Sequence, residues 1–319
     1  MRHTLDFEKT ISDLQDKIAK LKDSGSDKTS LVEVNEQIEE IKVRIDKKLD
    51  EIYKKLTPWH KLQVSRHPNR PHFLDYVKTL FEDFEPLSGD RLFKEDPALL
   101  CGFATFHDKS LMIMGHEKGK DTEERIKHNF GMAKPEGYRK AMRLMKLAEK
   151  FNLPIITFID TPGAYPGVGA EQRGQSEAIA KCIEVSLNLK TPTISIIIGE
   201  GGSGGAIAIA TTNKVLMLEH SIYSVISPEG CASILWKNTK YAEEAASSMK
   251  ITAQDLKELN VIDSIISEPL GGAHRNPNQT IKNVGDVIWD SLKQIISLNK
   301  NELLNQRKTK YLMTLNKSE

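Results

Sequence analysis

The chain has 319 residues, 39% apolar and 28% charged, enough to bury a sizeable core in one large or two modest domains. Lys and Arg number 45 against 44 Asp and Glu, a formal charge of +1 that lacks the basic excess of a dedicated nucleic-acid binder. Apolar runs such as Thr193–Ile198 fall far short of the roughly 20 residues of a membrane span. The start MRHTLDFEKT has no apolar signal core, and Cys101, Cys182 and Cys231 are too scattered for a disulfide framework or a zinc ribbon, so the expected setting is a reducing cytoplasm.

Residues 1–57 read as a helical hairpin. Ile11, Leu14, Ile18 and Leu21, then Leu31, Val34, Ile38, Ile41, Ile45, Leu49, Ile52 and Leu56, recur three and four apart, and Ser24-Gly25-Ser26-Asp27 breaks the pattern. Such a seam suits a packing or assembly arm. Residues 58–97 hold Pro58, Pro68, Pro71, Pro86 and Pro97, which predict an extended, turn-rich segment with a short helix around Phe73–Phe84. Arg66, His67 and Arg70 form a basic patch there that could bind a phosphate, with a solvated surface the default expectation.

From residue 98 to 298 the pattern is α/β. Leu99–Phe106 and Leu111–Met114 read as strands joined by a tight turn at His107-Asp108-Lys109. Pro135 opens a helix through Lys150, and Leu153–Ile159 and Thr193–Ile198 are buried strands. Val215–Leu218 and Ile222–Ile226 continue as short strands, a helix begins near Gln279, and residues 299–319 read as a polar tail. Strands alternating with helices imply crossover units and a helix-covered sheet.

Two loops carry the functional signal: Asp160-Thr-Pro-Gly-Ala-Tyr-Pro-Gly167 and Gly199-Glu-Gly-Gly-Ser-Gly-Gly205. Each follows a short buried strand and precedes a helix, so backbone N–H groups at the helix start are aimed at bound negative charge. The second loop fits two further motifs. Gly199-x-Gly201-x-x-Gly204, with Glu219 on the next strand, matches a dinucleotide fingerprint. Gly201-x-Ser203-x-Gly205, with Asp263 and His274 downstream, matches the nucleophile elbow of a serine hydrolase. Both matches come cheaply in a glycine-rich string, and a Walker loop is excluded by the missing Gly-Lys-Ser/Thr.

Other candidates lie nearby. Arg173 has the planar fork suited to a carboxylate, the plainer alternative being an ion pair with Glu171 or Glu177. Lys118 and Lys120 in Gly115-His-Glu-Lys-Gly-Lys suit a phosphate or carboxylate, or form a solvated charge run. Glu229 and Cys231 read as helix capping and core packing, and His274 and Arg275 as loop anchors.

Five segments decide among these readings: EGGSGGAIA at 200–208, SVISPEGCASILW at 224–236, PLGGAHRNP at 269–277, NFGMAKPEGYR at 129–139 and DTPGAYPGVGAEQRGQ at 160–175. Together they resemble the alpha-subunit family of the bacterial, multi-subunit acetyl-coenzyme A carboxylase carboxyltransferases, over nearly the whole chain to about residue 298. The resemblance implies a crotonase-like ββα spiral with an N-terminal helical hairpin and C-terminal helices. It implies transfer of carboxylate from carboxybiotin, on a biotin carboxyl carrier protein, to acetyl-coenzyme A, giving malonyl-coenzyme A. Carried onto this chain, the oxyanion donors for biotin are the N–H groups of Gly204 and Gly205, with Gly163 and Ala164 completing the wall. The implied partners are a carboxyltransferase beta subunit in an α₂β₂ core, the carrier protein and biotin carboxylase. The zinc ribbon is expected on the beta subunit, with no metal and no covalent cofactor on this chain. A serine hydrolase built on Ser203, or a non-catalytic scaffold subunit, are the alternatives.

Overall fold

The computed structural model describes residues 3–24 and 31–314. Lys9–Ser24 (α1) and Leu31–Tyr53 (α2) form the expected helix pair. Ile11 at the start of α1 shares a cluster with Ile45, Leu49 and Tyr53 at the end of α2, so the two helices run antiparallel. Tyr53 Oη donates to Glu8 Oε1 at 2.7 Å, and Arg275 Nη2 meets Glu8 Oε2 at 2.8 Å, tying the base of the arm to the body. The expected break at Gly25-Ser26-Asp27 lies outside the described residues.

The proline-rich segment is more regular than its composition suggests. It holds Pro58–Ser65 (α3), Phe73–Leu80 (α4) and Glu82–Pro86 (β1). Pro58 sits at the first helical position, where its missing N–H is no loss. Thr57 Oγ1 accepts the N–H of His60 at 3.2 Å, closing the helix start. Pro86 ends an edge strand, a place where a missing donor is tolerated. Two members of the basic patch are not solvated, His67 and Arg70 being 4% and 3% exposed, whereas Arg66 is exposed as expected.

Leu99–Phe106 (β2) and Lys109–His116 (β3) form a hairpin whose turn residues His107 and Asp108 have φ of 47° and 57°, the left-handed pair that a two-residue hairpin turn requires. Thr122–Lys127 (α5) and Pro135–Lys150 (α6) follow, then Ile155–Thr161 (β4), Val168–Gln172 (α7) and Gln175–Asn188 (α8). Thr193–Gly202 (β5) runs without a gap into Ser203–Ala210 (α9), so the glycine stretch expected as a loop is largely strand. Lys214–Leu218 (β6), Ile222–Ser224 (β7), Pro228–Leu235 (α10), Ala242–Ser248 (α11), Ala253–Glu258 (α12) and Ser264–Ile266 (β8) lead to Pro277–Ile295 (α13). The polar stretch after residue 299 is a helix, Lys300–Thr314 (α14), with Leu303 and Arg307 buried.

The strands form one eight-stranded sheet in the order β1-β2-β3-β4-β5-β6-β8, with β7 paired to the far end of β5. Pairing is antiparallel across β1, β2 and β3 and parallel from β3 onward. Alternate residues of β4 and β5 serve two cores. Ile159 and Ile197 pack with α6, α8 and α9, whereas Phe158, Ile196 and Ile198 pack with α4 and α13. Burial on both faces explains why these strands are mostly apolar instead of alternating with polar residues.

Candidate active site

The two loops of interest leave the sheet side by side. Ile159 pairs with Ile197, but Thr161 pairs with Gly201, so β5 carries extra residues at 198–200. This bulge is closed by a side chain: Asp160 Oδ1 accepts the N–H of Glu200 at 3.0 Å. Gly199 permits the approach, because a Cβ there would lie 2.3 Å from Asp160 Oδ1. Beyond the bulge, backbone packs directly on backbone. A Cβ on Gly202 would sit 2.2 Å from Pro162 O, and one on Gly205 would sit 2.7 Å from Ala164 N.

Helix α9 begins on this platform. Its N-cap, Gly202, has no side chain to cap with, and the first-turn N–H groups of Ser203, Gly204 and Gly205 have no intrahelical acceptor. Ser203 holds φ of 56°. The result is a short row of fixed donors at a helix N-terminus, suited to developing negative charge. Of the first-loop candidates, Gly163 already donates its N–H to Thr161 Oγ1 at 3.1 Å, so that donor is engaged. Ala164 stands against Gly205.

On the opposite face of the sheet, at the same strand ends, lies a chain of alternating charges. Lys118 Nζ sits between Asp160 Oδ1 at 2.7 Å and Glu200 Oε2 at 2.9 Å. Arg66 Nε reaches Glu200 Oε1 at 2.6 Å, and its Nη1 reaches Glu229 Oε1 at 2.5 Å. A cavity of about 290 Å³ adjoins this chain, lined among others by Arg66, His72, Lys118, Arg125, Asp160 and Glu200. Burial alone raises the carboxyl pKa of Asp160, but the Lys118 ammonium and His72 outweigh it and hold Asp160 well below the usual carboxylate range. Glu200 is likewise lowered: burial opposes, and Lys118 and Arg66 prevail. Lys118 is raised in turn, because the two carboxylates outweigh the cost of burying an ammonium.

The other expected site residues are placed elsewhere. Arg173 Nε meets Glu136 Oε1 at 2.5 Å, with Glu136 wholly buried, and the guanidinium lies 4.7 Å from the centre of the Phe93 ring. Its fork is therefore engaged by Glu136, and not by Glu171 or Glu177. Lys120 points to the surface, where it pairs with Asp75 at 2.6 Å. Glu229 does not cap α10: Ser227 Oγ does so, accepting the N–H of Gly230 at 3.1 Å. Among the described residues, no group of three or more His, Cys, Asp or Glu side chains is placed to hold a metal ion, and no helix is long and apolar enough to cross a membrane.

The hydrolase and dinucleotide readings find no assembled site. Ser203 does have an elbow's left-handed backbone, but neither ring nitrogen of His274 has a hydrogen-bond partner. His274 stacks on His67 with centroids 3.9 Å apart. Asp263 accepts the N–H of Val215 at 2.6 Å, at the start of β6, and pairs with Lys310. That is the opposite end of the parallel strands from Ser203, so no triad forms. Glu219 is committed to the N–H of Glu268 at 3.2 Å.

Sequence reasoning missed Asp160, Glu200 and Arg66 as members of the site. One signal was available: Asp160 and Glu200 are charged residues that follow predominantly apolar strand segments, where only a partnered charge can be buried.

Comparison with known proteins places the chain in a family. The family described as acetyl co-enzyme A carboxylase carboxyltransferase-like matches residues 4–314. The acetyl-coenzyme A carboxylase carboxyl transferase subunit alpha of Rhizobium leguminosarum bv. trifolii (strain WSM2304) is 57% identical over 312 residues, covering 98% of each chain. The same subunit of Agrobacterium fabrum (strain C58 / ATCC 33970) is 56% identical over 312 residues, again 98% of each. Among solved structures, transcarboxylase 12S, with methylmalonyl-coenzyme A and methylmalonic acid bound, aligns with a TM-score of 0.57 at 16% identity, over 70% of this chain and 41% of that one. A Pseudomonas malonate decarboxylase hetero-tetramer in complex with coenzyme A aligns at 0.56 and 13% identity, over 70% of this chain and 91% of that one. The fold is that of the crotonase-like carboxyltransferases. Within that class, the chain belongs to the alpha-subunit family of the acetyl-coenzyme A carboxylase carboxyl transferases.

Proposed function

We propose that this chain supplies the biotin side of a cytoplasmic carboxyltransferase that moves carboxylate from carboxybiotin, on a biotin carboxyl carrier protein, to acetyl-coenzyme A. The product is malonyl-coenzyme A for fatty-acid synthesis. The observation that carries this reading is the uncapped first turn of α9, seated backbone-to-backbone on the first loop. Carboxybiotin supplies the activated carboxylate and, once that has left, the base for the acetyl α-proton. The chain supplies fixed donors. The N–H groups of Gly204 and Gly205 receive the negative charge left on the ureido oxygen, and they need no reorganisation as it develops. No side-chain nucleophile takes part, in keeping with a Ser203 that has no base.

Charge also develops on the thioester oxygen, and a second set of donors must meet it. We assign that half to a carboxyltransferase beta subunit carrying the zinc ribbon, in an α₂β₂ assembly served by the carrier protein and biotin carboxylase. An exposed apolar surface on α10 supports a partner. Ile234 and Leu235 stand 68% and 67% exposed, near Val225 at 74%. Trp236 stacks on Tyr241 just beyond, with centroids 6.1 Å apart. Several large apolar side chains left exposed within residues 225–241 favour a protein contact there. The test is to assay malonyl-coenzyme A consumption with biocytin, using this chain alone and mixed with the beta subunit. Turnover is expected only on mixing. Sustained turnover by the chain alone, with mass spectrometry showing no co-purified subunit, overturns the shared site, and a silent mixture overturns the carboxyltransferase reading.

A further inference from the structure

We infer that Lys118 is a positioning residue for the glycine pocket, acting through the Asp160 and Glu200 carboxylates and not on substrate. The inference rests on the carboxyltransferase reading above. Its starting point is topological. Asp160 heads the first loop and Glu200 the second, and the bulge in β5 brings the two heads together. One ammonium joins them, at 2.7 and 2.9 Å, from a side chain only 16% exposed. Both carboxylates are nearly buried, and of the two Arg66 pairs with Glu200 alone, so without Lys118 the repulsion between the two loop heads has no cation between them to offset it. The ammonium thus sets the distance between the loop heads.

That distance is passed on mechanically. Asp160 Oδ1 holds the Glu200 N–H as well as Lys118 Nζ, so the same oxygen fixes both the bulge and the cation. Two residues after Asp160, Pro162 touches Gly202 with no room for a Cβ, and Ala164 touches Gly205 in the same way. A shift of Asp160 therefore displaces the wall on which α9 begins, and with it the Gly204 and Gly205 donors on the other face of the sheet. Misplacing a catalytic group by about 1 Å costs on the order of 10²-fold in rate. Arg66 anchors the far side, bonding Glu200 and, in the first turn of α10, Glu229.

The test uses the full chain and its assembly with the beta subunit. For Lys118→Met we expect a fall in kcat of about 10²-fold with the KM for malonyl-coenzyme A nearly unchanged. Amide hydrogen exchange in the isolated chain should quicken at 160–165 and 199–208 while α13 keeps its protection. Lys118→Arg, which retains a cation beside a roomy cavity, should restore part of both. The double variant Lys118→Met/Glu200→Gln removes the unbalanced charge and lets an amide donate to Asp160, so it should be faster than Lys118→Met alone. A raised KM with unchanged loop exchange would make Lys118 a substrate ligand and overturn the inference. So would parent-like kcat in Lys118→Met, or a double variant no faster than the single one. The exchange experiment needs no turnover, so it decides the loop clamp even if the assembled parent is silent, an outcome that would count against the carboxyltransferase reading instead.

Discussion

Arg70 and Glu268 meet through two hydrogen bonds of 2.8 Å each, their side chains 2% and 0% exposed. Arg70 Nη2 also donates to Ile198 O at 2.9 Å, at the first residue of the bulge in β5. Glu268 accepts the N–H groups of His220 at 3.0 Å and Ala273 at 2.6 Å. The pair thus pins the end of β5 to the turn after β6 and to the loop before α13. Breaking a buried pair on one side leaves an uncompensated charge, at a cost of about 3–5 kcal/mol. Glu268→Gln should lower the unfolding free energy by that amount in urea titrations. The double variant Arg70→Met/Glu268→Gln should recover part of the loss, since no lone charge remains. A single variant within about 1 kcal/mol of the parent would show that Arg70 is not left as an uncompensated buried charge.

Acid should unfold the chain in two stages. Burial lowers His116 from its ordinary 6.5 to about 4, and burial together with His67 lowers His274 to about 2. A base held low in the fold binds fewer protons than in the unfolded chain, so stability is complete above pH 6.5 and declines below it. The carboxylates act lower. Burial opposes the ionisation of Glu268, but Arg70 outweighs it and brings the group from 4.5 to about 2. Its contribution is complete above pH 4.5 and is lost as pH falls through about 2. Unfolding free energy measured against pH should therefore fall from about pH 6.5 and more steeply below about 4.5. Glu268→Gln should flatten the lower limb, and a curve level down to pH 3 would contradict the assignment.

Arg307 in α14 makes a different kind of buried contact, one without a carboxylate. Its guanidinium donates to Leu189 O at 2.6 Å, Leu187 O at 3.3 Å, Thr191 O at 3.4 Å and Thr193 Oγ1 at 3.0 Å. It also donates to Asn213 Oδ1. The first two carbonyls lie at the C-terminal end of α8, where a helix leaves acceptors unpaired and favours positive charge. Arg307→Met should cost on the order of 3 kcal/mol, because several buried acceptors lose their donor together. Arg307→Lys should recover less than half, since one ammonium cannot span this set. Thermal or urea unfolding measures both, and a neutral Arg307→Met would mean that α14 docks through its other contacts, Leu303 and the Lys310–Asp263 pair among them.

The α14 contact also shows where the sequence stops being legible. The helix has no apolar stripe, because its main buried group is an arginine, so periodicity returned only a polar tail. By contrast α6 was legible to the residue: Pro135 fixes its start, and Ala141, Leu144, Met145 and Ala148 recur on one buried face. The β2–β3 hairpin was legible for the same local reasons. Helix α3 and strand β1 were missed because prolines were read as breakers, although Pro58 occupies a helix start and Pro86 an edge. At the site, the two glycine loops announced themselves through composition. The ion chain did not, since Lys118 lies 82 residues from Glu200 and Arg66 lies 134 residues from it. Only the parallel register of β4 and β5 brings these groups together. Arg173 failed likewise: its neighbours in sequence offered Glu171 and Glu177, and the tertiary fold supplied Glu136.

The glycines at the start of α9 should differ in their tolerance of a side chain. A Cβ on Gly205 meets backbone, 2.7 Å from Ala164 N and 2.8 Å from Gly163 C, and backbone cannot swing aside. A Cβ on Gly204 lies 3.3 Å from Ile179 Cγ2, a side-chain methyl that can shift. Gly205→Ala should therefore force the two loops apart and lower kcat by about 10²–10³-fold, the scale of losing an oxyanion donor. Gly204→Ala should retain more turnover, whereas Gly204→Val should abolish it by crowding the approach to the N–H. Ser203→Ala separates the chemistry, because a donor pocket needs the Ser203 backbone and not its hydroxyl. Substantial carboxyl transfer is expected from Ser203→Ala in the assembled enzyme, measured as malonyl-coenzyme A consumed with biocytin. A folded Ser203→Ala chain that loses turnover, together with ester hydrolysis present in the parent, would restore the serine as a nucleophile. Equal tolerance at Gly204 and Gly205 would show that the loop contact does not set the pocket.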